Sequence, residues 1–238
     1  MAGVTVVFDL DGTLVDTAPD LVETLNVVLA GEGLPAVPFE RARNLIGGGA
    51  RRMLELGLHE AGRACTPPEI DRLYGEFIRF YAAHIAERSR PFPALEAALA
   101  SLSAAGMRFA VCTNKLEWLS VRLLEALGLA GTFAAICGQD TFGVQKPDPE
   151  ILRKTIWRAG GTVDEAIMVG DSGSDIDTAR AAGVPVVAVD FGYSEVPIAE
   201  LNPDRVISSF ADLPAAVHEL LGGMLTRTMP MSAAGGAR

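Results

Sequence analysis

Two carboxylates stand at the end of an apolar run near the start of the chain. The segment TVVFDLDGTL (5–14) places Asp9 and Asp11 directly after residues that favour a buried strand. Side chains two residues apart in an extended chain point the same way, and Gly12 allows the chain to turn close to a ligand. Such a pair can combine a nucleophilic carboxylate, which attacks phosphorus, with a second carboxylate that transfers a proton. Read alone, the pair is also compatible with a solvated turn.

Polar residues follow two more apolar runs in the same manner. Thr113 and Asn114 come after RFAVC (108–112), and Asp171 comes after AIMVG (166–170). The carboxyl ends of parallel strands meet at one edge of a sheet, where α/β proteins bind their ligands. We therefore expect these residues to share a crevice with the first carboxylate pair.

The content of that crevice predicts its ligands. Clustered carboxylates repel one another unless a cation lies among them. With oxygen donors and no neighbouring His or Cys, the expected cation is Mg²⁺. The metal would offset the repulsion between a carboxylate nucleophile and an anionic phosphoryl group. Lys146, in VQKPDP, would add the remaining positive charge, and the Thr113 hydroxyl would hold phosphate oxygens.

The elements that must position these residues alternate between strand and helix patterns. Near-continuous apolar runs are typical of parallel strands covered on both faces. Helical periodicity between the later runs predicts a right-handed, doubly wound, Rossmann-like α/β sheet. The predicted strands are VTVVFDL (4–10), RFAVCTN (108–114), AAICG (134–138), AIMVGD (166–171) and PVVAVD (185–190).

One block interrupts this alternation. Between about residues 17 and 87 the sequence shows only helical periodicity, which predicts a small helical domain inserted into the α/β core. We assign residues 1–16 and 88–222 to the core and residues 17–87 to the insertion. The Gly-, Ala- and Met-rich segment 223–238 is predicted to be a flexible tail.

Composition narrows the class of protein. The chain has 238 residues, 49% of them hydrophobic, and a formal net charge of −10, which argues against nucleic-acid binding. The three cysteines are widely spaced, so we expect reduced thiols in the cytoplasm. The N-terminus has no basic segment typical of a signal peptide. No apolar stretch approaches the roughly 18 residues of a membrane span.

Four segments resemble, in order, the four motifs of the haloacid dehalogenase superfamily. They are DLDGT (9–13), CTN (112–114), QKP (145–147) and GDSGSD (170–175). The resemblance covers about residues 3 to 221, and the helical block resembles the cap domain that this superfamily inserts after its first motif. It implies a hydrolase that acts through an aspartyl-phosphate.

The resemblance also implies a role for each motif residue. Asp9 matches the nucleophile and Asp11 the general acid/base, while Thr113 and Lys146 match the residues that stabilise the phosphoryl group. Thr113, Asn114 and Lys146 are also expected to contact the substrate.

The metal site is implied in the same way. Asp9, Asp11 and Asp171 match the metal-binding residues, with Asp11 contributing its backbone carbonyl. Asp175 matches a further acidic residue that orients the ligands.

Within the superfamily the chain is most similar to phosphoglycolate phosphatases, which favours 2-phosphoglycolate as the substrate. The similarity extends to LVDTAPDL (14–21), SRPFPAL (89–95) and NPDRVISSFADL (202–213). The chain departs from these enzymes at Gly173-Ser174, where they commonly carry Arg-Asn. Three alternatives stay open: a phosphatase for another small sugar phosphate or nucleotide, a β-phosphoglucomutase-like isomerase, and a binding module with a decayed site. The sequence leaves monomer and homodimer open.

Cap residues are predicted from a glycine-rich loop. Gly48 lies in the Gly47–Gly49 run, which Arg51 follows closely. This loop could close over the substrate, with Arg51 meeting a distal carboxylate. It could equally be a connection between helices with a solvated basic end. Lys115 is interpreted mainly as a charge at a helix N-terminus.

Overall fold

A parallel β-sheet forms the centre of the molecule. The computed structural model describes residues 3–194 and 196–228. Numbered along the chain, the strands are β1 (Thr5–Phe8), β2 (Val15–Asp16), β3 (Arg90–Pro91), β4 (Arg108–Cys112), β5 (Ala135–Cys137), β6 (Ala166–Gly170), β7 (Val186–Val189) and β8 (Arg205–Ile207). Six of them form the main sheet in the order β5-β4-β1-β6-β7-β8, with every neighbouring pair parallel.

Helices cover both faces of the sheet. They are α1 (Ala18–Gly31), α2 (Phe39–Arg43), α3 (Ala50–Glu60), α4 (Pro67–Ala83), α5 (Leu95–Ala104), α6 (Glu117–Ala126), α7 (Pro149–Arg158), α8 (Gly173–Ala182) and α9 (Leu213–Thr228). The central strand β1 shows the layering directly, because its alternate residues enter different cores. Val6 and Phe8 pack with residues of α5 and α9, and Val7 packs with residues of α7 and α8. These features confirm the predicted doubly wound α/β sheet.

All five predicted strands are present, and the structure adds strands that the sequence analysis missed. The edge strand β8 has only three residues, and Arg205 and Val206 in it are exposed while Ile207 is buried. A run so short and so exposed has no continuous apolar signature. β2 and β3 have two residues each, which is too few for any periodicity.

The segment between β2 and β3 is helical, as predicted. Helices α1, α3 and α4 pack on one another around buried residues such as Leu25, Leu54 and Phe77. Helix α4 begins at a capping box in which the Thr66 N–H donates to Glu69, and Pro67 occupies its first turn. The limits of the two domains, 1–16 with 88–222 and 17–87, stay predictions.

The segment that leads into the helical block and the segment that returns from it lie side by side. β2 and β3 are antiparallel and pair Val15 with Pro91 and Asp16 with Arg90. Next to them, the buried carboxylate of Asp20 accepts hydrogen bonds from the backbone N–H groups of Arg88 and Ser89 and from the Ser89 hydroxyl. One carboxylate at the start of α1 therefore fixes the return segment.

At the C-terminal end, α9 runs to Thr228, six residues past the predicted limit of the core at 222. The remainder of the predicted tail, 229–238, lies outside the described residues. Across 3–194 and 196–228, no helix has the length and apolar character needed to cross a bilayer.

Candidate active site

Asp9 lies directly beyond β1, at the carboxyl edge of the sheet. Its backbone N–H donates to the carbonyl of Val169 in β6 at 2.9 Å, so the backbone ladder fixes its position. The Lys146 ammonium is 2.9 Å from Oδ1 of Asp9 and donates a 2.6 Å hydrogen bond to Oδ1 of Asp175. All three side chains are buried. Burial opposes the charge on Lys146, but Asp175 and Asp9 outweigh it and raise the pKa of that ammonium.

Asp171 enters the same crevice from the end of β6. Its Oδ1 accepts a 2.8 Å hydrogen bond from the Thr13 hydroxyl, and its Oδ2 accepts one of 2.8 Å from the Tyr193 N–H. Gly12, with φ of 84°, passes close by, and a Cβ there would lie 2.4 Å from Oδ2 of Asp171. The turn therefore requires glycine for its backbone conformation and for space.

Asp11 is bound differently from Asp9. The Lys115 ammonium donates to both carboxylate oxygens of Asp11, each at 2.9 Å. The same ammonium lies 4.4 Å from the ring centre of Tyr81, on α4. Burial disfavours the charge on Lys115, but Asp11 more than compensates and raises its pKa. Lys115 is therefore part of the site, joining the sheet edge to the helical segment.

The carboxylates beyond β1 and β6 form an acidic cluster. Asp9, Asp171 and Asp175 each place an oxygen within 4.8 Å of the others. Burial, followed by repulsion from Asp175 and Asp9, raises the pKa of Asp171 to about 8. Burial likewise raises the pKa of Asp9 to about 6, against the opposing effect of its lysine partner. Together with Asp11, these described carboxylates outnumber the two lysine ammonium groups that touch them by two.

This charge pattern fits a bound cation. A divalent ion would balance the excess negative charge, and an all-oxygen donor set suits a hard metal. The side chain of Asp175, rather than that of Asp11, completes the acidic cluster. The expected contribution of Asp11 through its backbone carbonyl stays a prediction.

Thr113 and Asn114 occupy the loop after β4, as the strand pattern predicts. Thr113 is 2% exposed, and its hydroxyl accepts a 3.3 Å hydrogen bond from the Lys115 N–H. The Asn114 side chain accepts from the Lys146 N–H at 2.9 Å and donates to the Lys146 carbonyl at 3.2 Å. It also donates to the carbonyl of Gly47 at 3.5 Å. Asn114 therefore holds the lysine loop in place and touches the glycine-rich loop of the helical segment.

A cavity of about 40 Å³ lies between the sheet edge and the helices. A single water needs about 10–15 Å³ of such volume, so the space holds only a few atoms. Its polar lining comes from Asp9, Asp11, Asn114, Lys115 and Tyr81. Most of the remaining wall is apolar and includes Leu21, Ile46, Met53, Phe77, Ile78 and Leu119.

The structure does not bring Arg51 to this cavity. The Arg51 side chain is 46% exposed, and its guanidinium donates to Asp71 at 2.6 Å and lies 5.0 Å from the ring centre of Tyr74. Gly48 faces a neighbouring groove that is lined in part by Lys146. Gly49 approaches the core more closely, since a Cβ there would lie 3.1 Å from the carbonyl of Asn114.

Comparison with known proteins identifies the family. A model of the haloacid dehalogenase-like hydrolases matches residues 6–189, which include every motif residue of the core. The chain belongs to this family. The resemblance predicted from the four motifs is confirmed.

Individual relatives agree with the family assignment. A phosphoglycolate phosphatase of Mesorhizobium japonicum is 50% identical over 216 residues, which cover 91% of this chain and 95% of the relative. One of Caulobacter vibrioides is 47% identical and covers 92% of each chain. The crystal structure of a predicted phosphoglycolate phosphatase from Haemophilus somnus superposes with a TM-score of 0.83 at 30% identity, covering 91% of this chain and 98% of that one. These findings confirm the expected enzyme class, a hydrolase of phosphoric monoesters.

Two residues of this hydrolase site were missed or undervalued by sequence reasoning. Lys115 directly follows the Thr113–Asn114 pair, and this adjacency was the available signal for its role. Tyr81 falls on the buried stripe of α4 with Leu73 and Phe77, where its hydroxyl is the only feature that distinguishes it from a core residue. Only its contact with Lys115 in the folded protein indicates that Tyr81 belongs to the site and is not merely a core residue.

Proposed function

We propose that the protein is a Mg²⁺-dependent phosphatase that converts 2-phosphoglycolate to glycolate and phosphate. The observation that carries the proposal is the placement of Asp9, ion-paired to Lys146, beside Asp171 and Asp175 at the sheet edge. The choice of 2-phosphoglycolate as the substrate is based on the similar phosphoglycolate phosphatases, whose alignments cover about nine-tenths of the chain. Oligomeric state, monomer or homodimer, stays a prediction.

Asp9 attacks phosphorus in line and forms an aspartyl-phosphate, while the ester oxygen leaves as the alcohol. Lys146 stabilises the charge on the phosphoryl oxygens, and the Thr113 hydroxyl and nearby backbone N–H groups hold them. Asp11 delivers a proton to the leaving oxygen and then takes one from the water that hydrolyses the intermediate. Asp9 and Asp171, with the Asp11 backbone, would hold Mg²⁺, which supplies charge neutralisation between nucleophile and phosphoryl group.

The cavity supports a small substrate over a sugar phosphate. Its wall is mostly apolar away from the phosphoryl end, so the several hydroxyls of a sugar would lose hydrogen bonds there. Its volume is also small, so the helical segment must open to admit substrate and release product. Closure over the substrate would exclude bulk water from the reaction.

The free cysteines indicate the cellular compartment of the enzyme. Cys65, Cys112 and Cys137 are all unpaired, and the latter two are buried. Free cysteines are usual in a reducing environment, so we place the enzyme in the cytoplasm.

The decisive experiment is a screen of small phosphorylated metabolites with and without Mg²⁺, comparing kcat/KM. We expect 2-phosphoglycolate to rank first and turnover to disappear with EDTA. Preference for a sugar phosphate or nucleotide would overturn the substrate. A requirement for a bisphosphate cofactor, with no net release of phosphate, would indicate an isomerase.

A further inference from the structure

The cavity wall contains a buried hydroxyl that has no acceptor. Tyr81, on α4, is 1% exposed and lines the cavity, and its hydroxyl donates to no acceptor among the described residues. Burial raises the pKa of this phenol to about 12, so it is a neutral donor at physiological pH. Buried polar groups nearly always have a partner, because leaving one unpaired costs free energy. The orphaned hydroxyl therefore points to a ligand atom that supplies the missing acceptor.

Lys115 places a positive charge against the Tyr81 side chain. Its ammonium lies over the Tyr81 ring and donates to both oxygens of Asp11. An ammonium group has three donors, of which two are directed at this carboxylate and the third faces the Tyr81 side chain. Both Lys115 and Tyr81 line the cavity. A neutral donor and a cation thus stand together in a mostly apolar wall, which is the donor set that a carboxylate needs.

Position along the cavity separates this pair from the phosphoryl end. The Lys146 ammonium pairs with Asp9 and Asp175, and its backbone N–H donates to the Asn114 side chain. Lys115 instead connects the sheet edge to α4, on the side where the helices close over the substrate. A phosphoryl group bound at Asp9 would direct its leaving group towards Lys115 and Tyr81.

We infer that Tyr81 and Lys115 form a receptor for the carboxylate of the leaving group and so select phosphate esters of small hydroxy acids. The inference rests on the proposed function, since it requires such an ester as substrate. When the substrate binds, the Lys115 ammonium exchanges Asp11 for the substrate carboxylate, and Tyr81 donates a hydrogen bond to the same group. Asp11 is then free to reach the ester oxygen. Recognition of the leaving group thereby releases the residue that protonates it, with no covalent bond changed in the exchange.

Tyr81→Phe is the primary test, because it deletes only the hydroxyl that lacks an acceptor. We expect KM for 2-phosphoglycolate to rise about 10–100-fold, as for loss of a hydrogen bond to a charged group, with kcat changed far less. The kcat/KM for ethyl phosphate, which lacks the carboxylate, should fall far less than that for 2-phosphoglycolate. The melting temperature should be unchanged or higher. Tyr74→Phe, on the same helix but outside the cavity wall, is the matched control. It should leave KM and kcat for both substrates unchanged.

Lys115→Met provides a second variant. We expect it to reduce the ratio of kcat/KM for 2-phosphoglycolate over ethyl phosphate at least 100-fold. Glycolate binding, followed by calorimetry, needs no turnover and should weaken at least tenfold in Tyr81→Phe, whereas binding of inorganic phosphate should not change.

Two results would overturn the receptor while leaving the phosphatase intact. One is a wild-type enzyme that hydrolyses ethyl phosphate as efficiently as 2-phosphoglycolate. The other is a Tyr81→Phe enzyme with unchanged KM and unchanged glycolate affinity. Failure of the wild-type enzyme to release phosphate from any ester would overturn the proposed function instead, and glycolate binding would then test the receptor by itself.

Discussion

The phosphoryl end and the leaving-group end of the cavity are held by different parts of the chain. At the phosphoryl end, Asp9, Lys146 and Asp171 follow or adjoin parallel strands, and each is fixed by ion pairs or hydrogen bonds. At the leaving-group end, Met53, Phe77 and Tyr81 come from the helices α3 and α4 of the inserted segment. The chemistry therefore lies at the sheet edge, whereas the proposed selection combines Lys115 of that edge with residues of the helical segment.

Asp9→Asn is expected to have the largest effect, because it removes the nucleophile from the phosphoryl end. Turnover should fall at least about a thousandfold, as for other enzymes that lose a covalent nucleophile. The melting temperature should not decrease, since a neutral amide relieves repulsion within the acidic cluster. Phosphate release and thermal unfolding check the two parts. Wild-type activity in a preparation free of contaminating phosphatase would refute the mechanism.

Lys146→Met tests how strongly the phosphoryl end depends on its buried cation. The substitution leaves Asp9 and Asp175 facing each other without their shared ammonium, and we expect a loss of about 3–5 kcal/mol in the free energy of unfolding. Urea denaturation measures it. Lys154→Met, which removes a lysine whose ammonium faces the ring of Phe142, should change stability by less than about 1 kcal/mol. Equal effects of the two substitutions would contradict this assignment.

Asp20→Ala tests the contact that holds the return segment between the helices and the α/β core. It removes the acceptor for the N–H groups of Arg88 and Ser89 and should cost about 2–4 kcal/mol of stability. Because the lost contacts hold the return segment, KM should also rise while kcat changes less. Asp20→Asn retains one acceptor oxygen, so its stability should lie between that of Asp20→Ala and that of the wild type. An alanine variant as stable as the wild type would show that the paired strands β2 and β3 suffice.

Arg51→Met is expected to have the smallest effect. The pair of Arg51 with Asp71 is exposed, so stability should change by at most about 1 kcal/mol. KM for 2-phosphoglycolate should stay within twofold, because the guanidinium lies outside the cavity wall. A tenfold increase in KM would instead support the sequence-based assignment of Arg51 to the substrate.

The sequence predicted the sheet correctly, and it predicted that the residues of the phosphoryl end would share one edge, because both have local signals. β1 is a buried strand whose apolar run is unmistakable, and Asp9 and Asp11 follow it directly. Asp171 and Thr113 occupy the same position after their own strands. A parallel sheet converts these separate positions along the chain into one place in space, so no knowledge of side-chain packing was needed.

The leaving-group end had no comparable signal. Lys115 and Tyr81 belong to different elements, and their contact depends on how α4 packs over the loop after β4. Arg51 shows the converse: a basic residue after a glycine-rich loop suggested either an anion contact or a solvated end, and in the structure its guanidinium donates to Asp71. Helical periodicity identifies the buried face of a helix but does not specify which partner that face meets.

The pairing of β2 with β3 makes the helical segment exchangeable. Paired residues in antiparallel strands have Cα atoms about 4.5–5.5 Å apart, so the chain enters and leaves the helical segment at nearly one point, in a separate two-stranded sheet. Any insert whose own ends lie that close could replace the segment between Asp16 and Arg90 without altering the order or register of the six parallel strands. The catalytic half could thus be grafted with new lids, and a chimera that keeps Asp9 and Lys146 would change its substrate without redesign of its chemistry.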